Sequence, residues 1–131
     1  MRFAYTIIYV ADVEQSVAFY EQAFGCTRRF ITETKQYAEM QTGATTLSFA
    51  SNDLAASNLP QGFTPNSPSA PPAGIEIAFV TEDVAAAYAQ ALRAGAISVK
   101  APERKPWGQM VGYVRDRDGV LVEIGSPVHS A

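Results

Sequence analysis

The chain repeats itself, and that repeat restricts its folds more than any other feature. Asp12-Val13 recurs as Asp83-Val84 at an offset of 71 residues, and Gly25 recurs as Gly95 at an offset of 70. Around these anchors the same order of elements can be read twice. Phe3–Val10 alternates and is rich in aromatic and β-branched residues, which predicts a strand. Asp12 then offers a helix N-cap, with Gln15 three residues on as a capping-box partner. Val13, Val17, Tyr20 and Phe24 recur at helical spacing, and Gly25 supplies a stop. Three strand-like runs follow: 26–34, 36–41 and 45–50. In the second half, 75–80 predicts a strand and Asp83 caps a helix. Val84, Tyr88 and Leu92 mark the helix's buried stripe, and Gly95 ends it. Strands are expected at 96–101, 109–115 and 120–125, the last two joined by the hairpin signal Asp116-Arg117-Asp118-Gly119. The expected fold is α+β, made of two tandem β-α-β-β-β modules.

Between the modules the composition changes. Pro60, Pro65, Pro68, Pro71 and Pro72 interrupt a Ser/Asn/Gly-containing stretch, which denies both helix and ladder. The expected organisation is module one over 1–58, a linker over 59–74 and module two over 75–131, together one domain of 131 residues. Residues 52–58 have room for a helical turn. A lone four-stranded module leaves one sheet face bare, so two must cover each other, within the chain or between chains.

Composition excludes several function classes. Ten basic residues stand against 13 acidic ones and no basic stripe is present, so nucleic acid is not an expected partner. No apolar run is long enough to span a membrane, and no signal-peptide pattern follows Met1-Arg2. The expected location is cytoplasmic. Cys26 is the one cysteine, so there is no internal disulfide, and it reads as a small buried hydrophobe. His129 is the one histidine, near the end of the chain, so one chain cannot supply a site of two or three imidazoles.

Two sequences within this plan resemble a known family. Val10-Ala-Asp12-Val13 leads into Ser16-Val-Ala-Phe19-Tyr20 and ends at Phe24-Gly25. Lys105-Pro-Trp107-Gly108-Gln109 runs on to Arg115-Asp-Arg-Asp118-Gly119-Val-Leu-Val-Glu123-Ile. In order and spacing these resemble the vicinal oxygen chelate superfamily of glyoxalase I, extradiol dioxygenases and fosfomycin- and bleomycin-resistance proteins. The resemblance implies curved sheets enclosing a ligand cleft, usually in a homodimer. It also implies four site positions: Tyr5, where glyoxalase I would have a histidine; Ser48, where it would have a glutamate; Glu76 on the first strand of module two; and Glu123 on the final strand.

Two of those four positions carry carboxylates, and tyrosine and serine are poor ligands for zinc, nickel or iron. No metal and no other cofactor is therefore expected; the disfavoured alternative is a hard divalent ion, magnesium or calcium, on Glu76 and Glu123, where two carboxylates fall short of the usual oxygen shell unless waters complete it. Glu76 and Glu123 are the candidate catalytic residues, since paired carboxylates in a cleft can abstract a proton. The alternative for Glu123 is a hydrogen bond to a neighbour such as Tyr5. Trp107, flanked by proline and glycine, reads either as a stacking plate beside the cleft or as a loop anchor packed down on the protein. Tyr37, Phe49, Phe63 and Tyr113 either extend an aromatic lining or belong to the core. The expected function is binding of an aromatic or cationic small molecule by Tyr5, Ser48, Glu76, Trp107 and Glu123 without a metal, as in antibiotic-resistance members. A metal-dependent lyase, isomerase or dioxygenase is the alternative.

Overall fold

The computed structural model describes residues 1–128; His129 lies outside the described residues. The elements, in order, are β1 (Tyr5–Val10), α1 (Val13–Phe24), β2 (Thr27–Ile31), β3 (Tyr37–Gln41), β4 (Thr46–Ser51), α2 (Asn52–Asn58), β5 (Glu76–Val80), α3 (Val84–Arg93), β6 (Ile97–Arg104), β7 (Met110–Arg115) and β8 (Leu121–Gly125). Each half forms a four-stranded mixed sheet, ordered β1-β4-β3-β2 and β5-β8-β7-β6. The first strand of each half pairs in parallel with the last, and the other pairings are antiparallel.

The chain divides into two compact units. One is Met1–Glu21 with Gly25–Asn66; the other is Gln22–Phe24 with the described residues from Ser67 onward. This boundary falls inside the proline-rich stretch, which forms no strand or helix beyond Asn58. The two sides of the stretch are held differently. In the first unit the Phe63 ring meets Tyr9 edge-on at 4.9 Å, and Asn66 Nδ2 donates to the Tyr9 carbonyl. In the second unit the Arg115 guanidinium donates to the carbonyls of Ser67, Pro68 and Ala70, and to that of Gly119.

Local chemistry explains the helices. Asp12 Oδ1 accepts from Gln15 N, Asp83 Oδ1 from Ala86 N and Ser51 Oγ from Leu54 N, each satisfying a donor that the first helical turn leaves open. Gly25, at φ 70°, closes α1. Val13, Val17 and Tyr20 bury one stripe of α1. On α3 the buried stripe is Val84, Tyr88 and Ala91, with Leu92 turned outward at 38% exposure. The expected stripe ran through Leu92, at i+8 from Val84; Ala91, at i+7, is fully buried in its place, and Leu92 falls at the stripe's edge. Ser51 caps a seven-residue α2, longer than the single turn expected. Strand β6 also runs further than expected, through Pro102 to Arg104. It is the last strand of its sheet, where proline is tolerated.

Alternation along the strands separates the two faces of each sheet. Ile8, Val10, Leu47, Phe49, Ala38 and Met40 are buried on one face of the first sheet, and Val114, Val122 and Ile124 on one face of the second. The opposite faces carry the polar chemistry.

Candidate functional site

The strand register places the four expected positions in equivalent pairs. In the first sheet Tyr5 faces Thr46, and Ile7 faces Ser48. In the second, Glu76 faces Leu121, and Ala78 faces Glu123. Tyr5 therefore sits diagonally from Ser48 as Glu76 sits diagonally from Glu123, on the face away from the buried core of each sheet. Tyr5 is 50% exposed, whereas Ser48 is fully buried.

In the second unit the diagonal brings two acids together. The Glu76 carboxyl comes within reach of the Glu123 carboxyl across the β5–β8 ladder. Glu76 is held above the ordinary carboxylate range by partial burial first, then by the Glu123 charge. Tyr113, directly opposite Glu123 on β7, donates its hydroxyl to Glu123 Oε1 at 3.2 Å. The phenol is raised too, by burial and then by Glu123 and Glu76. Glu123 thus has a tyrosine partner, and it is the cross-strand Tyr113. Lys105 Nζ stands 6.0 Å from the Tyr113 ring centroid and is paired with Glu103 at 2.9 Å.

In the first unit the corresponding face carries a different network. Tyr37 Oη lies 2.8 Å from Glu39 Oε2 and 3.1 Å from Ser48 Oγ, with its hydrogen available to either. Its phenol is raised, mainly by burial. Arg29 bridges Glu39 and Gln41 and reaches Thr46 Oγ1. A bulge between Arg28 and Phe30 adds a residue to β2 there and interrupts the regular β2–β3 register. Glu39 and Arg29 were not anticipated from the sequence, although Glu39 lies directly opposite Ser48 in the β3–β4 ladder. Of the other aromatics weighed, Phe49 is core, whereas Tyr37 and Tyr113 belong to the polar faces.

Trp107 occupies the tip of the β6–β7 hairpin. Lys105 N donates to the Gln109 carbonyl and Gly108 N to the Lys105 carbonyl, closing a three-residue loop whose last position, Gly108, has φ 94°. The indole is 65% exposed, which rules out the packed-down loop anchor. Its Nε1 donates to Gln109 Oε1, and Gln109 Nε2 donates to the Ser126 carbonyl, both at 2.8 Å. A Cβ on Gly125 would stand 3.0 Å from Gln109 Nε2 and 3.5 Å from Glu123 Oε2. The missing side chain leaves room for the Gln109 amide and the Glu123 carboxylate around Gly125.

These faces show what a metal would meet. Ser48 Oγ is engaged by Tyr37, and Glu123 accepts from Tyr113. Among the described residues no three His, Cys, Asp or Glu side chains cluster as a metal site would require. This donor set does not fit zinc, nickel or iron, which call for imidazole or thiolate.

A duplicated β-α-β-β-β module with polar chemistry on the strand faces opposite the core defines a class of small α+β proteins. The chain matches the model of the Glyoxalase/Bleomycin resistance protein/Dioxygenase superfamily over residues 2–124, and it belongs to that family. Solved structures agree on the fold. A glyoxalase-related enzyme from Fulvimarina pelagi is 21% identical with a TM-score of 0.83, the match covering 97% of this chain and 88% of that one. A glyoxalase/bleomycin resistance protein/dioxygenase family enzyme from Burkholderia phytofirmans PsJN is also 21% identical, with a TM-score of 0.80 and coverage of 98% and 100%. A glyoxalase/bleomycin resistance protein/dioxygenase from Nocardioides is 18% identical, with a TM-score of 0.75 and coverage of 100% and 86%. No curated protein matches the chain. Among the described residues no helix is long and apolar enough to cross a membrane.

Proposed function

We propose that this chain is a small-molecule binding protein of its family that works without a transition metal, and that its ligand presents a cationic group to Glu76 and Glu123. The observation that carries this reading is the acid pair itself. Two carboxyls face each other beside the Tyr113 hydroxyl on a strand face, the charge of one disfavours ionisation of the other, and a cation there relieves their repulsion. The working form in this proposal is a homodimer with the ligand held where the subunits meet, and the role is sequestration. Support for assembly comes from the edge strands: Ile7 on β1 and Val80 on β5 are 47% and 66% exposed.

The test is a thermal-shift and calorimetric screen of planar aromatic amines beside their neutral analogues, with elemental analysis of the purified protein and light scattering. Cations are expected to bind stoichiometrically and unchanged. Affinity should rise with pH as Glu76 loses its proton, and the rise should vanish in Glu76→Gln. Near one equivalent of zinc, nickel, iron or manganese per chain, lost in Glu123→Ala, defeats the metal-free reading. A particle of single-chain mass at micromolar concentration defeats the dimer.

The raised Glu76 carboxyl also favours a second reading, proton transfer to and from a ligand carbon. Exchange of a carbon-bound hydrogen into deuterated solvent, abolished in Glu76→Gln, would distinguish it from sequestration.

A further inference from the structure

We propose that the bulge in β2 builds a carboxylate subsite on the polar face of the first sheet, where Arg29 and Tyr5 hold the head of a small aliphatic acid and Phe30 covers its chain. Successive residues of a regular strand point to opposite faces. The irregularity between Arg28 and Phe30 breaks that rule. Arg28 turns to α1, where its guanidinium donates to Glu21. Arg29 and Phe30 then both serve the other face. Arg29 reaches Glu39, Gln41 and Thr46. Phe30 stands opposite Glu39, with its ring centroid 6.1 Å from that of Tyr37. A cation and an apolar ring thus become neighbours that strand alternation would separate.

The hydrogen bonds show which donors remain. Arg29 Nε is engaged by Gln41, and Nη1 by Glu39 and Thr46. Among the described residues nothing accepts from Nη2, whose two hydrogens stay open on a side chain 36% exposed. Three contacts already hold the guanidinium, so a ligand loses little by ordering it. Tyr5 supplies the second donor. It faces Thr46 in the β1–β4 ladder, the same residue that Arg29 reaches from the other side. Its phenol lies near enough to contribute, behind burial and Glu39, to the raised Tyr37. The Tyr5 side chain is half exposed, and its hydroxyl has no hydrogen-bond partner among the described residues.

These donors set the ligand class. Glu39 balances the Arg29 charge, so the subsite draws an anion by directed hydrogen bonds more than by net charge. N–H donors from Nη2 and the Tyr5 O–H match the two oxygens of a carboxylate. A cation would find both Glu39 oxygens already engaged, one by Arg29 and one by Tyr37. Phe30 is 40% exposed and offers apolar area for a short alkyl chain. The subsite lies wholly within the first unit and does not rest on the cation reading of Glu76 and Glu123.

The test follows hexanoate, hexanamide and inorganic phosphate on the intact protein by calorimetry and by the Arg29 Nε–H resonance, identified as the signal lost in Arg29→Lys. Hexanoate is expected to shift that resonance and to bind at least about fivefold more tightly than hexanamide. It should also bind more tightly than phosphate, which has no chain for Phe30 to cover. Arg29→Gln should bring hexanoate down to the affinity of the amide, and Tyr5→Phe should weaken it severalfold. Arg104→Gln removes an equal charge from an arginine that has no ion pair among the described residues, and it should leave hexanoate unchanged. Equal affinities for acid and amide, phosphate binding as tightly as hexanoate, or an unmoved Arg29 signal would each overturn the proposal. So would equal losses in Arg29→Gln and Arg104→Gln, because the attraction would then be general. Arg29→Gln leaves Glu39, only 12% exposed, without its cation. Should that variant fail to fold, the double variant Arg29→Gln/Glu39→Gln removes both charges, and a preference for hexanoate over hexanamide surviving there would refute the role of Arg29.

Discussion

The Tyr113 hydroxyl donates to Glu123 Oε1 across the β7–β8 ladder, and the same carboxyl faces Glu76 on the neighbouring strand. Glu123 on β8 thereby meets side chains from both neighbouring strands, Tyr113 on β7 and Glu76 on β5. The arrangement makes Glu76 sensitive to pH. Its raised carboxyl means that the fold prefers the neutral form. That preference contributes stability below the ordinary carboxylate range, and the contribution is lost as pH rises through the raised value. Glu76→Gln is neutral throughout. Its melting temperature should equal or exceed wild type at pH 7, by a few degrees at most for so exposed a group, and converge with wild type near pH 4. Melting scans from pH 4 to 8 check this, and a variant several degrees less stable at pH 7 contradicts it.

Trp107→Ala should barely affect folding. An indole 65% exposed at a hairpin tip contributes little buried area, so a change under about 1 kcal/mol, or roughly 4 °C, is expected. Wild-type emission should lie at the red end of the tryptophan range and be readily quenched by iodide. A loss approaching 10 °C would mean that the ring is buried in solution.

Gly119 is a far less tolerant position. It adopts φ 89° in the hairpin after Asp116, and a Cβ there would stand 2.6 Å from the Ser67 carbonyl oxygen and from Arg115 Nη2. Gly119→Ala combines backbone strain with a clash against main chain and should cost about 2 kcal/mol or more, roughly 8 °C. Arg115→Met should cost less, because it loses hydrogen bonds without introducing a clash. Denaturation midpoints measured side by side rank the two, and the reverse order would refute the close approach.

Cys26 should be inert. Burial pushes its thiol up to about 11, so little of the reactive thiolate exists at pH 8. Labelling with a disulfide reagent should be at least about tenfold slower in the native protein than in denaturant. Equal rates would show an open thiol.

Much of this architecture could be read from order alone. The Asp12 and Asp83 caps, the left-handed Gly25 and the Asp116–Gly119 hairpin are contests between neighbouring residues for a few backbone donors and acceptors, so a short stretch of sequence determines them. The alternation of β1 and β5 placed Tyr5 and Glu76 on strand faces for the same reason, since a period of two is a property of the strand itself.

What the sequence could not determine was which side chains meet. That Glu123 pairs with Tyr113 and Glu76, that Ser48 is claimed by Tyr37, and that Arg29 reaches Glu39 all depend on inter-strand register. A shift of one residue would turn each of them to the opposite face. The same holds for Arg115, which closes on carbonyls more than forty positions earlier in the chain. Neighbour chemistry set the elements, and the register of long-range pairing, invisible to local periodicity, decided the site.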